Sequence, residues 1–456
     1  QQYNNQHPPG HQLAPTFRTF ICKALKAGCI WDEGLKKWMN LEDLLNHPNP
    51  EVKALWEKSS QKEYGNLFQG SGDTVGMDVC EFIKKSDVPT GKKVTYPRTV
   101  VAYRPEKVAN PYRTRITAGG DQLTYDGETS TDSASMSTIK MHQNLVLSSP
   151  NARYTVADAG NMYLASTLKD AQYVRFKLKQ IPQSIQDQYQ LQSIVDHHGY
   201  VYARIKKALY GLKESGRIAH EDMIDHLASF GYHESKLTKG LFKHDTRDIS
   251  FTLVVDDFGI KWTKEEDLQH LIMALEEKYE MKVDMESKQY VGIDLKWNYA
   301  TRTLTCSMDE YITTALQELQ HLAPSQHFKV TSIANQPQYG ATIQYIEDDT
   351  TKAVGPERTK HIQKVIGKFL FMARALDNTP LHGLNELARK AANATEKVLA
   401  ATKHLLNCIA SNPTSKIQFG ASDMILHIGS DNAPTVALGL KTISAPFKPN
   451  AIQFNG

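Results

Sequence analysis

Two kinds of hydrophobic pattern alternate along the chain. From Phe17 to about Gln69 apolar residues recur three and four apart, as in Leu41-Glu-Asp-Leu-Leu45 and Val52-Lys-Ala-Leu-Trp56. That spacing predicts helices, divided at Pro48 and Pro50. The polar, proline-containing residues 1–15 predict a disordered leader. Short β-type runs follow at Lys93–Tyr96, Thr99–Tyr103 and Arg113–Thr117, the last closed by Gly119-Gly120, and Met136–Leu147 is again helical. Strands are predicted at Arg153–Asp158 and Tyr200–Ile205; the second runs into Leu209-Tyr-Gly-Leu-Lys213 and a helix ending near Phe230. Apolar runs Ile249–Val255 and Phe258–Trp262 flank Asp256-Asp257. A helix over Glu265–Tyr279 and a hairpin of Tyr290–Trp297 with Thr303–Ser307 come next. Residues 323–350 read as an irregular arm, Pro356–Ile409 as helices, and Lys416–Phe419 with Met424–Ile428 as a new strand pair. Strands and helices mixed without regular alternation predict an α+β fold.

Composition narrows this little: 40% hydrophobic and 23% charged residues are ordinary globular values. A net charge of +3 does not by itself imply nucleic acid. Locally the balance shifts, because nine Lys/Arg stand against four acids between Lys169 and Arg217, a patch able to follow a phosphate backbone. The five scattered cysteines have no zinc spacing and fit a reducing, intracellular compartment. No apolar stretch reaches 18 residues, so no membrane span is expected. A chain opening on Gln reads as a piece of a longer polyprotein.

The candidate chemistry lies in carboxylates. Asp256 and Asp257 are adjacent between two strands, and like charges resist joint ionisation unless a cation compensates. An acidic hairpin turn is the plain alternative. Asp158 ends its own apolar strand, 98 residues earlier. Three such acids suit a pair of divalent ions in phosphoryl transfer, and oxygen donors favour Mg²⁺ with Mn²⁺ as substitute.

Around these acids five segments stand in order: Arg113-Thr-Arg-Ile-Thr-Ala-Gly-Gly120, Asp158-Ala-Gly-Asn-Met-Tyr163, Ala208-Leu-Tyr-Gly-Leu-Lys213, Val254-Val-Asp-Asp257 and Tyr290-Val-Gly-Ile293. Together they resemble the reverse transcriptase of copia-type LTR retrotransposons, over about Lys53 to Ile409. The resemblance implies a right-hand polymerase with an antiparallel palm sheet, followed by a helical connection and the start of an RNase H-like domain. Its divisions would be a disordered or helical leader at 1–45 and fingers and palm within 46–322, the thumb beginning near 309. An arm at 323–355, a connection at 356–410 and a truncated RNase H-like segment at 411–456 would follow.

The resemblance also implies roles. Asp158, Asp256 and Asp257 would hold Mg²⁺, and Tyr163 would exclude a 2′-hydroxyl beneath the sugar. Arg113 or Arg115 would reach the triphosphate. Gly211 would let the backbone approach the base pair, Lys213 would contact template or nucleotide, and Tyr290, Val291 and Gly292 would form the primer grip. Lys278 or Lys282 would supply a protonating lysine. The implied partners are a primed RNA or DNA template, dNTPs and other polyprotein products, in a cytoplasmic particle or the nucleus. Asp431 resembles the first acid of an RNase H domain, yet no Asp or Glu follows it. Independent RNase H cleavage is therefore not expected. Glu214 stands where the family usually has Gln, and a charge facing phosphates there would weaken binding.

Overall fold

The computed structural model describes residues 28–104, 109–331 and 349–425. The chain forms two compact units. The first takes the described residues up to Ser133 together with Asp158–Thr246 and Gln269–Lys282; the second takes Ala134–Ala157, Arg247–Leu268 and the described residues from Val283 onward.

In the first unit, Ile30–Asp32 and Lys37–Met39 form a hairpin, which corrects the helical reading of that stretch and the leader drawn through it. Asp32 accepts the Leu35 amide at 2.8 Å, and Lys36 takes φ 48° to close the turn. Helices follow at Leu41–Leu45 and Pro50–Leu67. Asn40 and Asn49 cap them, and Pro50 starts the second at a position where its missing N–H costs nothing. The long helix packs beneath a hairpin of Pro97–Tyr103 and Tyr112–Ala118. Ser59 and Ser60 hydroxyls meet that of Thr114, and Glu63 accepts the Ile116 amide at 2.8 Å. A four-stranded sheet orders Cys80–Ile83, Tyr200–Lys207, Thr167–Lys177 and Val94–Thr95, the last pairing parallel. Its apolar face buries Val174, Phe176, Val201 and Ile205 with Phe68.

The second unit places strand Ile249–Val254 beside Asp257–Trp262, and the latter beside the strand that begins at Arg153. Trp262 Nε1 donates to Thr155 Oγ1 at 2.8 Å. A second antiparallel sheet orders Gln289–Tyr290, Ile293–Asn298, Thr303–Ser307 and Lys416–Gly420. The final strand pairs with Thr303–Ser307; most of the expected strand Met424–Ile428 lies outside the described residues. Asn144 Nδ2 donates to the Gly420 carbonyl at 2.7 Å, fixing the exit of that strand. Residues 416–420, expected to open an RNase H-like domain, thus complete this sheet; Asp431 lies outside the described residues. Helices Asp309–Glu318, Pro356–Ala375, Leu381–Lys390 and Glu396–Ser411 close over a core that includes Ile312, Phe369, Leu384 and Leu405. Residues 323–331 are irregular, as expected, but they are tied to the last helix: Ser411 Oγ accepts the Phe328 amide at 3.1 Å. Among the described residues no helix is long and apolar enough to cross a membrane.

Candidate active site

The aspartate hairpin is tighter than its sequence suggests. Val254 pairs with Asp257, so the two-residue turn is Val255-Asp256 and Asp257 already belongs to the second strand. Val255 takes φ 60° while Asp256 does not join it in the left-handed region. A two-residue turn of that pattern normally carries glycine first. A β-branched residue there costs about 1–3 kcal/mol and persists only where its surroundings over-determine it. They do so here: Phe251 and Phe258 are fully buried below the turn, and a Cβ on Gly259 would lie 2.0 Å from the Tyr154 hydroxyl. His142 Nε2 meets Ser250 Oγ at 3.0 Å, and burial pushes that imidazole down to about 3, neutral beneath the hairpin. Both aspartates are half-buried, and Val255 is 39% exposed.

Asp158 lies in the first unit, half-exposed, with Lys282 Nζ 3.7 Å from its Oδ1. Lys278 instead pairs with Asp222 at 2.5 Å, where Ser166 also donates. Of the two candidate lysines, only Lys282 adjoins a predicted catalytic acid.

A second constellation in the first unit gathers Arg115, Tyr210 and Tyr163. Arg115 lies over the Tyr210 ring at 4.3 Å, and the Tyr163 ring centre is 5.1 Å from that of Tyr210. The neighbouring strand position Arg113 is partly buried; that burial lowers its guanidinium's proton affinity, and Arg115 and Arg104 push the same way. Tyr210 was not among the expected site residues; it is half-buried beside the exposed Gly211. Gly211 has φ 95°, and a Cβ on it would meet the Ala118 carbonyl at 2.2 Å. A Cβ on Gly120 would meet the Gly211 carbonyl at 2.1 Å. The two glycine motifs therefore pack on each other. Lys213 is exposed. Glu214 is 5% exposed, accepts from Gln172 Nε2 at 3.3 Å and immediately precedes helix Ser215–Ser229 without a side-chain cap bond to it. The expectation that it faces phosphates is corrected: packing turns the carboxylate inward.

The Tyr290 segment divides into a buried and an exposed part. Tyr290 is 1% exposed, and its hydroxyl donates to the Thr252 carbonyl at 2.9 Å, with the Asp257 carbonyl 3.4 Å away. Val291 and Gly292, at φ 44° and 77°, form the turn between Gln289–Tyr290 and Ile293–Asn298. Gly292 is exposed.

Carboxylate oxygens are the donors a hard divalent cation prefers, so the donor chemistry of Asp158, Asp256 and Asp257 fits Mg²⁺. Among the described residues, no three His, Cys, Asp or Glu side chains form a ready metal-holding group.

A foamy viral protease–reverse transcriptase, solved in complex with double-stranded DNA, matches 72% of this chain at 13% identity with a TM-score of 0.33. The chain spans 45% of that protein's length. Residues 86–331, more than half of the sequence and inclusive of all three acids, match the family model for reverse transcriptase (RNA-dependent DNA polymerase). This chain belongs to the reverse transcriptase family.

Proposed function

We propose that the chain is the RNA-directed DNA polymerase of a copia-type retrotransposon, extending a primer with dNTPs by phosphoryl transfer. The observation that carries the reading is the aspartate hairpin: adjacent carboxylates on a turn strained at Val255, inside a segment matched to the reverse transcriptase family. Asp158, Asp256 and Asp257 are the residues to hold divalent ions, which when bound activate the primer hydroxyl and stabilise the leaving pyrophosphate. Arg115, held by Tyr210, presents its fork to the triphosphate, and Tyr163, also beside Tyr210, limits the sugar. Val291 and Gly292 meet the primer end. Fingers, palm, thumb and connection follow the divisions given above. Residues 416–420, drawn within the final segment, pair with Thr303–Ser307.

Primer extension tests this. Purified protein extends oligo(dT) on poly(rA) with Mg²⁺ or Mn²⁺, and Asp256→Asn abolishes the extension. Folded protein whose incorporation does not exceed that of the variant would be an inactive remnant. That alternative, an inactive nucleic-acid-binding remnant, draws on Glu214 and on the tail after Ala433; the inward packing of Glu214 removes the first of these supports.

A further inference from the structure

We infer that Tyr290 is a positioning residue that ties the primer-grip turn to the carboxylate hairpin, so that seating the primer end and orienting Asp256-Asp257 are one mechanical event. The inference rests on the reading of Asp256 and Asp257 as metal-holding acids. Tyr290 immediately precedes the Val291-Gly292 turn, yet its side chain leaves that turn and enters the neck of the other hairpin. Its hydroxyl donates to the Thr252 carbonyl at 2.9 Å and lies 3.0 Å from Thr252 Oγ1 and 3.4 Å from the Asp257 carbonyl. Thr252 and Gly259 are register partners two positions below the pair Val254–Asp257 that closes the turn. The Tyr290 ring fills the space where Gly259 has no side chain: a Cβ there would come within 2.8 Å of the ring. One phenol thus touches both strands of the aspartate hairpin, including the backbone of an acid itself.

On its other side, Tyr290 is bonded in register to Ile293 across the grip turn. Residues Val291 and Gly292 are consecutive at positive φ, so the turn has little freedom to absorb a displacement. A Cβ on Gly292 would lie 3.7 Å from the Phe371 ring, which backs the turn from helix Pro356–Ala375. A shift of the grip is therefore passed to Tyr290 and from it to the carbonyl of Asp257.

Tyr290→Phe tests the link, because it keeps the ring against Gly259 and removes only the hydroxyl. Two readouts are taken on the same protein: steady-state extension of oligo(dT) on poly(rA), and Mn²⁺ binding by the loss of the free-ion EPR signal. The expected result is a kcat lowered by about tenfold to a hundredfold, the range for misplacing a reacting group, with KM for dTTP within about twofold. Mn²⁺ binding weakens several-fold in the primer–template complex. A merely structural role would lower the active fraction without moving Mn²⁺ affinity. Unchanged kcat and unchanged Mn²⁺ binding in folded Tyr290→Phe overturn the inference. Should that variant not fold, Mn²⁺ binding by the wild-type protein is compared with and without primer–template: tighter binding with the primer seated is expected, and an affinity the primer does not change overturns the inference. Wild-type protein that binds Mn²⁺ but extends nothing overturns the polymerase reading instead, leaving the Mn²⁺ comparison to decide the role of Tyr290.

Discussion

The turns at Val255-Asp256 and Val291-Gly292 both join antiparallel strands through two residues, and both place a valine at positive φ. At Val291 the next residue is glycine, which takes the second positive φ without cost, as such a turn requires. At Val255 the next residue is an aspartate in ordinary backbone space. The glycine-favouring position of the aspartate hairpin is thus filled by a side chain that resists it. What holds Val255 there is the packing below: two buried phenylalanines and the Gly259 contact with Tyr154 and Tyr290. The grip turn needs less support, because half of its demand is met by sequence. A carboxylate-bearing turn kept rigid from beneath and a bare turn kept rigid by its own glycine solve the same geometric problem differently.

The comparison is broken most severely at Gly259. Gly259→Ala places a methyl group 2.0 Å from the Tyr154 hydroxyl and is expected to cost about 3 kcal/mol, read as a lowered urea midpoint. A loss under about 0.5 kcal/mol would mean that the support beneath the hairpin is slack. Gly211→Ala, in the first unit, combines φ 95° with a 2.2 Å approach to the Ala118 carbonyl, and about 2 kcal/mol is expected. Its dTTP KM should rise, because Tyr210 and Arg115 lean on the same loop; an unchanged KM would separate that loop from nucleotide binding. Val255→Gly acts in the opposite sense: stability rises by about 1 kcal/mol while kcat falls, since the turn is relieved and the acids loosened. Full activity in that variant would show that the strain serves no purpose. The smallest effect is expected at Val291→Asn, which suits its turn better and should gain about 0.5 kcal/mol with extension unchanged.

Much of this was legible in the chain. Apolar runs marked the strands around Asp158 and Asp256-Asp257. Caps at Asn40 and Asn49 agreed with the break at Pro48 and Pro50. The failures have physical causes. Trp31 and Trp38 sit on two short strands whose pattern over three residues cannot be told from a helical one. Pairing of Lys416–Gly420 with Thr303–Ser307 spans more than a hundred residues, and strand alternation says which face is buried but not which partner is chosen. Glu214 was read as facing phosphates because it stands where the family usually has Gln, whereas here it is buried and Gln172 donates to it. Nothing in a valine announces the positive φ of Val255, since its branched side chain argues for the opposite.

The most direct test of the account remains incorporation of dTMP on poly(rA)·oligo(dT), comparing the wild-type chain with Asp256→Asn at matched folding. Template-dependent synthesis that falls by more than about a hundredfold in the variant is the predicted result. Equal incorporation by both proteins, or none by folded wild-type protein with either Mg²⁺ or Mn²⁺, would contradict it.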